Sequence, residues 1–264
     1  MKLSLCTWSY HRTLEAGKID FEGLIRLSAG ELKLNGVDII ADHLPKTDKK
    51  YLTDLKKMMT DLTLTAACLS PGNNFGQVDR KALDKEVDTI KKWVDCAYIL
   101  GTPVVRIFAG WAPKEEQAGL WPGMVESIKR SAEYAKDAGI TLCIEYHNDG
   151  GFLPTSVETF RLLKEVNSPY VQLNVDTGNY QDKDNYAAIE KSMPRARHVH
   201  LKFHDIDEAG NPQEFDYDKI FKVFKDSDYR GYYSVEYEGK GDEMEYVPRA
   251  FAFTRSYAKK YDIL

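Results

Sequence analysis

HVHLKFHD, residues 198–205, alternates polar and apolar side chains along most of its length. The apolar residues are Val199, Leu201 and Phe203, and the polar residues are His198, His200, Lys202 and His204. Successive side chains of a β-strand point to opposite faces, so the two sets lie on opposite sides. The stretch therefore predicts a strand that packs one face on an apolar layer and turns a basic face the other way.

Three further stretches repeat this alternation: LCIEYHN (142–148), LNVDTGN (173–179) and YYSVEYEG (232–239). Each places an acidic residue in its polar set, near the predicted end of the strand: Glu145, Asp176 and Glu236. Four consecutive strands with apolar outer faces and polar inner faces are typical of half a barrel wrapped by helices.

Strand-like and helix-like segments alternate along the whole chain. The predicted strands are 3–8, 37–42, 62–70, 103–110, 141–147, 171–176, 198–204 and 232–237. Strict alternation favours a parallel sheet, and eight such units in about 250 residues indicate a closed barrel. We therefore expect an α/β protein, with residues 1–264 forming a single (β/α)8 TIM barrel domain. The alternative, an open doubly wound sheet, would need a glycine-rich turn after the first strand, where TWSYHRTLEAG (7–17) stands instead.

The helix signals are clearest at 79–100, where Asp79 is the expected N-cap and Gly101 follows the last turn. A second predicted helix, 123–138, ends before Gly139. Ser156 is the expected N-cap of the next helix, and the C-terminal helix is expected over 245–260.

Composition narrows the classes of function. The net charge of −5 argues against a nucleic-acid partner, which usually requires a basic surface. No apolar run reaches the roughly 20 residues that cross a bilayer, and the N-terminus does not resemble a signal peptide. The sequence thus predicts a cytoplasmic protein without a membrane partner. The four cysteines lack the spacing of a metal or disulfide framework, so we expect buried, reduced thiols.

In a (β/α)8 barrel the active site lies at the C-terminal ends of the strands. Glu145, Asp176, His200 and Glu236 fall at or near those ends on four successive strands, so they can surround one divalent ion. The oxygen-rich set favours Mn²⁺, with Mg²⁺, Co²⁺ and Zn²⁺ as alternatives. The competing interpretation, that each acid only caps a helix or pairs with a lysine, would leave several like charges converging on one mouth.

The chain resembles the xylose isomerase-like TIM barrels known as sugar phosphate isomerases/epimerases, which include ketose 3-epimerases and inosose dehydratases. The motifs that carry the resemblance are NNFG (73–76), LGTPVVRIFAG (100–110), IEYHN (144–148), NVDTGN (174–179), HVHLKFHD (198–205) and GYYSVEYEG (231–239). The resemblance implies that Glu145, Asp176, His200 and Glu236 bind the metal and that the two glutamates shuttle a proton at a substrate carbon. It also implies a small-molecule carbohydrate substrate, and members of such families often form homo-oligomers.

The sequence departs from the ketose 3-epimerase pattern at three positions. Asn179, Ile206 and Gly151 stand where those enzymes have a substrate-binding histidine, an arginine and a glutamate. The departures leave the metal ligands in place but argue against a free ketohexose as substrate.

The leading functional hypothesis is a metal-dependent isomerase or epimerase of a sugar, sugar phosphate or polyol ketone. It would remove a proton from the carbon next to a carbonyl, and the metal ion would stabilise the enediolate that forms. The nearest alternative is a lyase or dehydratase that uses the same metal site on an oxidised sugar or glycoside. A non-catalytic metal-binding scaffold and an endonuclease IV-like DNA-repair enzyme are further alternatives, and the latter would need more histidines than the six present.

Several other side chains are candidates for the site. His147 and Lys202 are predicted as catalytic groups, with a loop histidine and a surface lysine paired with Asp205 as the alternatives. The predicted substrate-binding residues are Arg106, Asn179, Trp111 and His204. Arg106 could instead simply pair with Glu145, and Trp111 could belong to the core. His198 should lie deeper in the barrel as a hydrogen-bonded core histidine.

Overall fold

Eight parallel strands form a closed barrel in the computed structural model, which describes residues 1–147 and 149–263. The strands are β1 (Lys2–Cys6), β2 (Gly36–Ile40), β3 (Thr65–Ser70), β4 (Val104–Phe108), β5 (Thr141–Glu145), β6 (Val171–Asp176), β7 (Ala196–Phe203) and β8 (Tyr232–Tyr237). Each strand pairs with its neighbours in chain order, and β1 closes the barrel on β8. The predicted (β/α)8 TIM barrel is confirmed. Asn148, the last residue of the IEYHN motif, lies outside the described residues.

Helices connect the strands around the outside of the barrel. Within the described ranges these are α1 (His11–Glu15), α2 (Phe21–Gly30), α3 (Lys49–Asp61), α4 (Arg80–Leu100), α5 (Lys114–Asp137), α6 (Ser156–Val166), α7 (Asn185–Ser192), α8 (Tyr217–Asp226) and α9 (Glu243–Lys260). Among the described residues, none of these helices is both long and apolar enough to cross a bilayer.

The predicted ends of α4 are confirmed, because the Asp79 side chain accepts a hydrogen bond from Lys81 N–H and Gly101 ends the helix at φ 82°. The prediction for α5 was too short, since the helix begins at Lys114 and continues through Pro122. Proline removes one helical N–H donor. Here the neighbouring Trp121 is buried, and packing of this kind can hold the turn in place.

The predicted N-cap of α6 was wrong by one residue. Thr155 is the cap and accepts a hydrogen bond from Val157 N–H, whereas Ser156 begins the helix and donates its hydroxyl to Asp182. Adjacent hydroxyl residues give the same sequence signal, so only the backbone angles decide between them.

The barrel has an apolar outside and a polar inside, as the alternation predicted. Apolar strand residues pack against the helices in one large core, while Cys68, Val104 and Cys143 form a separate small apolar cluster. All four cysteines are free and buried, as expected. His198 is also buried, with Nε2 2.9 Å from Ser234 Oγ, which confirms a hydrogen-bonded core histidine.

Candidate metal centre and active site

Four acidic or imidazole side chains converge near the C-terminal ends of the later strands. Glu145 ends β5, Asp176 ends β6, His200 lies in β7 and Glu236 lies in β8. One ligand atom from each residue lies within 4.8 Å of the others, and all four side chains are buried. A group of this composition and spacing could hold a metal ion.

The surroundings of His200 Nδ1 fit a bound cation. This nitrogen lies 3.2 Å from Glu236 Oε2, 3.5 Å from Glu145 Oε2 and 3.8 Å from Asp176 Oδ2. It is buried and makes no hydrogen bond within the described residues. An imidazole nitrogen that faces three carboxylate oxygens is a ready ligand for a divalent ion, which would also screen the carboxylates from one another.

The three carboxylates of Glu145, Asp176 and Glu236 also repel one another, which points to a bound cation as well. Burial, together with the neighbouring Glu145 and Glu236, raises the pKa of Asp176 to about 7, although Lys202 opposes the shift. Neighbouring carboxylates cannot all ionise cheaply in a buried site unless positive charge lies among them. The acidic set therefore favours a cation at this position.

Glu145 is held by two amide donors and one ion pair. Asn174 Nδ2 lies 3.0 Å from its Oε2 and Asn179 Nδ2 lies 3.2 Å from its Oε1. Arg106 Nε lies 3.3 Å from Oε2, so the arginine does pair with this carboxylate. Burial alone would raise the pKa of Glu145, but His200 and Arg106 lower it to about 2. Glu145 is thus a fixed, ionised carboxylate. The predicted substrate contacts of Asn179 and Arg106 remain predictions.

Lys202 lies inside the site, with a side chain only 2% exposed. Its Nζ is 2.7 Å from Glu236 Oε2 and 3.2 Å from both Asp176 Oδ2 and Glu238 Oε2. Burial alone would lower the pKa of Lys202, but these carboxylates raise it well above its usual value. The alternative interpretation, a surface lysine paired with Asp205, is wrong.

His147 and Trp111 lie together at the rim of the mouth. Their ring centroids are 5.7 Å apart, and Phe108 lies 4.9 Å from Trp111 and 5.6 Å from His147. Asp149 fixes both residues, because it accepts a hydrogen bond from the Trp111 indole and lies 2.9 Å from His147 Nδ1. This aromatic wall stands beside Glu145, where a substrate could contact it.

His204 belongs to a second rim element on the other side of Lys202. It bridges Glu214, in the β7–α8 loop, and Glu238, which lies 3.2 Å from its Nε2. The hydrogen bond with Glu238 and the proximity of Glu214 raise the pKa of His204 despite its partial burial. Glu238 thus links His204 to Lys202, and no sequence expectation had singled it out.

Asp38, in β2, is the main residue that the sequence analysis missed. Its Oδ2 lies 2.6 Å from His200 Nε2 and 3.1 Å from His198 Nε2, and its Oδ1 accepts a hydrogen bond of 2.6 Å from Ser70. Burial would raise the pKa of Asp38, but the two histidines hold it well below its usual range. The available signal was an acid in the inward phase of an otherwise apolar strand, GVDII.

Larger grooves lie elsewhere on the described part of the chain. One of about 680 Å³ is lined by Gln172, Arg195 and Arg197, near the starts of β6 and β7. That end of a (β/α)8 barrel is the one usually associated with stability rather than catalysis. By contrast, the cleft beside Glu145 and His147 has a volume of only about 10 Å³.

Comparisons with known proteins agree with the fold. Residues 28–257 match the family model described as "Xylose isomerase-like TIM barrel". A Mus musculus protein named "Putative hydroxypyruvate isomerase" is 26% identical over 174 residues, which are 61% of this chain and 61% of that protein. The inosose dehydratase of Geobacillus thermodenitrificans is 24% identical over 245 residues, covering 78% of this chain and 82% of that enzyme.

A solved structure shows the same architecture. The D-psicose 3-epimerase of Clostridium cellulolyticum H10, crystallised with D-tagatose, aligns with a TM-score of 0.80 at 17% identity, covering 100% of this chain and 99% of the epimerase. At this identity the likeness shows the fold. The chain spans 61% of the length of the mouse relative, so that protein's activity does not transfer directly.

Proposed function

The chain belongs to the xylose isomerase-like TIM barrel family, and we propose that it is a divalent-metal-dependent isomerase or epimerase of a sugar, sugar phosphate or polyol ketone. The observation that carries the proposal is the convergence of Glu145, Asp176, His200 and Glu236, with ligand atoms within 4.8 Å of one another. These four residues would hold the ion, and Mn²⁺ suits their three carboxylates and one imidazole. When bound, the ion supplies positive charge that stabilises negative charge developing on the substrate oxygens.

Glu145 and Glu236 are the proposed proton carriers. They stand on β5 and β8, three strands apart around the barrel, so they approach a bound substrate from different sides. In the reacting state one of the two is ionised and takes the proton from the carbon next to the carbonyl, while the other carries a proton and gives it to the opposite face, so the pair exchanges its protonation states in each turnover. An isomerisation could use one of the two, whereas an epimerisation needs both.

The neighbouring side chains orient these two carboxylates and set their charge. Asn174 and Asn179 donate to Glu145 and fix its orientation. Lys202 lies 2.7 Å from Glu236, where its ammonium group can hold that carboxylate ionised or donate a hydrogen bond to a substrate oxygen. His147 and Trp111 form a wall for the substrate carbon skeleton.

The relatives limit the substrate class. Their names refer to hydroxypyruvate, inosose and D-psicose, which are all small hydroxylated carbonyl compounds. Asn179 makes a hydrogen bond to Glu145 in this protein, at the position where ketose 3-epimerases have a substrate-binding histidine. We therefore favour a substrate other than a free ketohexose.

Proton exchange in deuterated water tests the proposal. Metal-free protein would be incubated with Mn²⁺ and single ketoses, ketose phosphates or inososes in D₂O, and products identified by NMR. We expect one deuterium at the reacting carbon and a product of unchanged formula. Glu145→Gln and Glu236→Gln should each lower kcat by about 10²–10⁴-fold. Glu133→Gln, on the exposed surface of α5, is the matched control. Near wild-type turnover in both site variants would refute the proton-carrier assignment, whereas near wild-type turnover in one alone would leave isomerisation and rule out a two-carrier epimerisation.

Dehydration is the second candidate function. It is favoured by the inosose dehydratase relative, which aligns over 78% of this chain. The same proton abstraction could expel a β-hydroxyl group, with Lys202 or His147 as the acid that protonates the leaving oxygen. The same NMR experiment separates the two functions, because elimination gives a product that has lost water.

A further inference from the structure

Asp38 lies below the four candidate ligands and is fully buried, with an exposure of 0%. Its side-chain contacts come from two other strands: Ser70 on β3, and His198 and His200 on β7. Ser234 on β8 lies 2.9 Å from the same nitrogen of His198, Nε2. Asp38 is thus fixed by its neighbours, and its burial keeps it away from any substrate at the mouth.

An ionised carboxylate only accepts hydrogen bonds. Since His200 Nε2 lies 2.6 Å from Asp38 Oδ2, this nitrogen must carry the hydrogen. A neutral His200 then has a free lone pair on Nδ1, the atom that faces Glu236 at 3.2 Å and Glu145 at 3.5 Å. The hydrogen bond therefore selects the tautomer and also fixes the direction of the ring.

We propose that Asp38 is a positioning residue that presents His200 Nδ1 to the metal ion, and that its charge strengthens this imidazole as a ligand. The inference rests on the metal site of the proposed function. It adds a residue of β2 to a site otherwise built from β5 to β8. It also accounts for a buried carboxylate that no step of the proton transfer uses.

The first test measures metal affinity rather than turnover. Mn²⁺ binding to the metal-free protein would be followed by electron paramagnetic resonance, with circular dichroism to verify folding. Loss of such a hydrogen-bond partner typically weakens metal binding about 10- to 100-fold, and we expect this range for Asp38→Asn. Asp54→Asn, on the exposed face of α3, is the matched control and should bind Mn²⁺ like the wild type.

The two failures are distinguishable. A wild-type protein that does not bind Mn²⁺ would overturn the metal site and the proposed function with it. A wild-type protein that binds Mn²⁺, together with a folded Asp38→Asn variant of equal affinity, would overturn only the role of Asp38.

A second measurement requires no variant, in case Asp38→Asn does not fold. NMR of the Zn²⁺-loaded wild-type protein with ¹⁵N-labelled histidine reports which ring nitrogen binds zinc. We expect zinc on Nδ1 of His200 and a hydrogen on Nε2. Zinc on Nε2, or a ring with hydrogen on Nδ1, would overturn the proposal. If Asp38 only stabilised the fold, it would not decide which nitrogen of His200 binds zinc.

Discussion

Replacing Lys202 with methionine should destabilise the metal-free protein far more than an ordinary lysine substitution. The ammonium group is 2.7 Å from Glu236 and 3.2 Å from Asp176 and Glu238, in a side chain that is 2% exposed. Methionine fills a similar volume without the charge. The variant would leave a buried group of carboxylates without its nearest cation.

The magnitude follows from the burial. Removing one partner of a buried ion pair costs about 3–5 kcal/mol. For a domain of this size each kcal/mol corresponds to roughly 2–4 °C, so the Tm should fall by about 6–20 °C. Mn²⁺ at 100 times its Kd should stabilise the wild type and the variant alike, by about 2.7 kcal/mol, because the ion binds only the folded protein.

Thermal unfolding with and without Mn²⁺ measures both effects. Lys50→Met is the control, since Lys50 forms an exposed pair with Asp54 that water and salt screen. A loss in Lys202→Met no larger than in the control would refute the reasoning that the carboxylates depend on a buried cation. The absence of any Mn²⁺ stabilisation of the wild type would refute the metal site itself.

Two further predictions concern the surroundings of the site. Asn174→Ala removes a 3.0 Å hydrogen bond to the Glu145 carboxylate. The free energy of unfolding, measured by thermal or urea unfolding, should therefore fall by about 1.5–3 kcal/mol. An unchanged stability would show that water replaces the amide. The pKa of His204 is raised by Glu238 and Glu214, so its stabilising effect is complete below its unfolded pKa of about 6.5 and is lost as the pH rises through the folded value. His204→Gln should therefore lower the Tm by about 2–4 °C at pH 6 and by much less at pH 9; equal losses at both pH values would contradict the pairing.

The barrel and the four candidate ligands were predictable from local pattern. Period-two alternation on β5 to β8 fixed which side chains point inward, and the position along each strand placed Glu145, Asp176, His200 and Glu236 at one end. Strand ends were less certain, because they depend on turns. The residues after β1 form a 3₁₀ turn at Thr7–Tyr10, where the sequence suggested two more strand residues.

The surroundings of the ligands were not predictable, because they depend on contacts between distant segments. Asp38 contacts His200 across 162 positions of sequence. The local sequence of β2, GVDII, does not indicate which residue Asp38 contacts. The alternation did predict that Lys202 faces the site, but its ion pairs with Glu236 on β8 and with Glu238 just after β8 depend on how these distant segments pack.

The most direct test of the metal site is anomalous X-ray diffraction from crystals soaked in Mn²⁺. We expect one strong peak bonded to Glu145, Asp176, Glu236 and Nδ1 of His200, at metal–ligand distances of roughly 2.0–2.3 Å. The absence of a peak at saturating Mn²⁺, or a peak elsewhere in the barrel such as beside Asp38, would contradict the account.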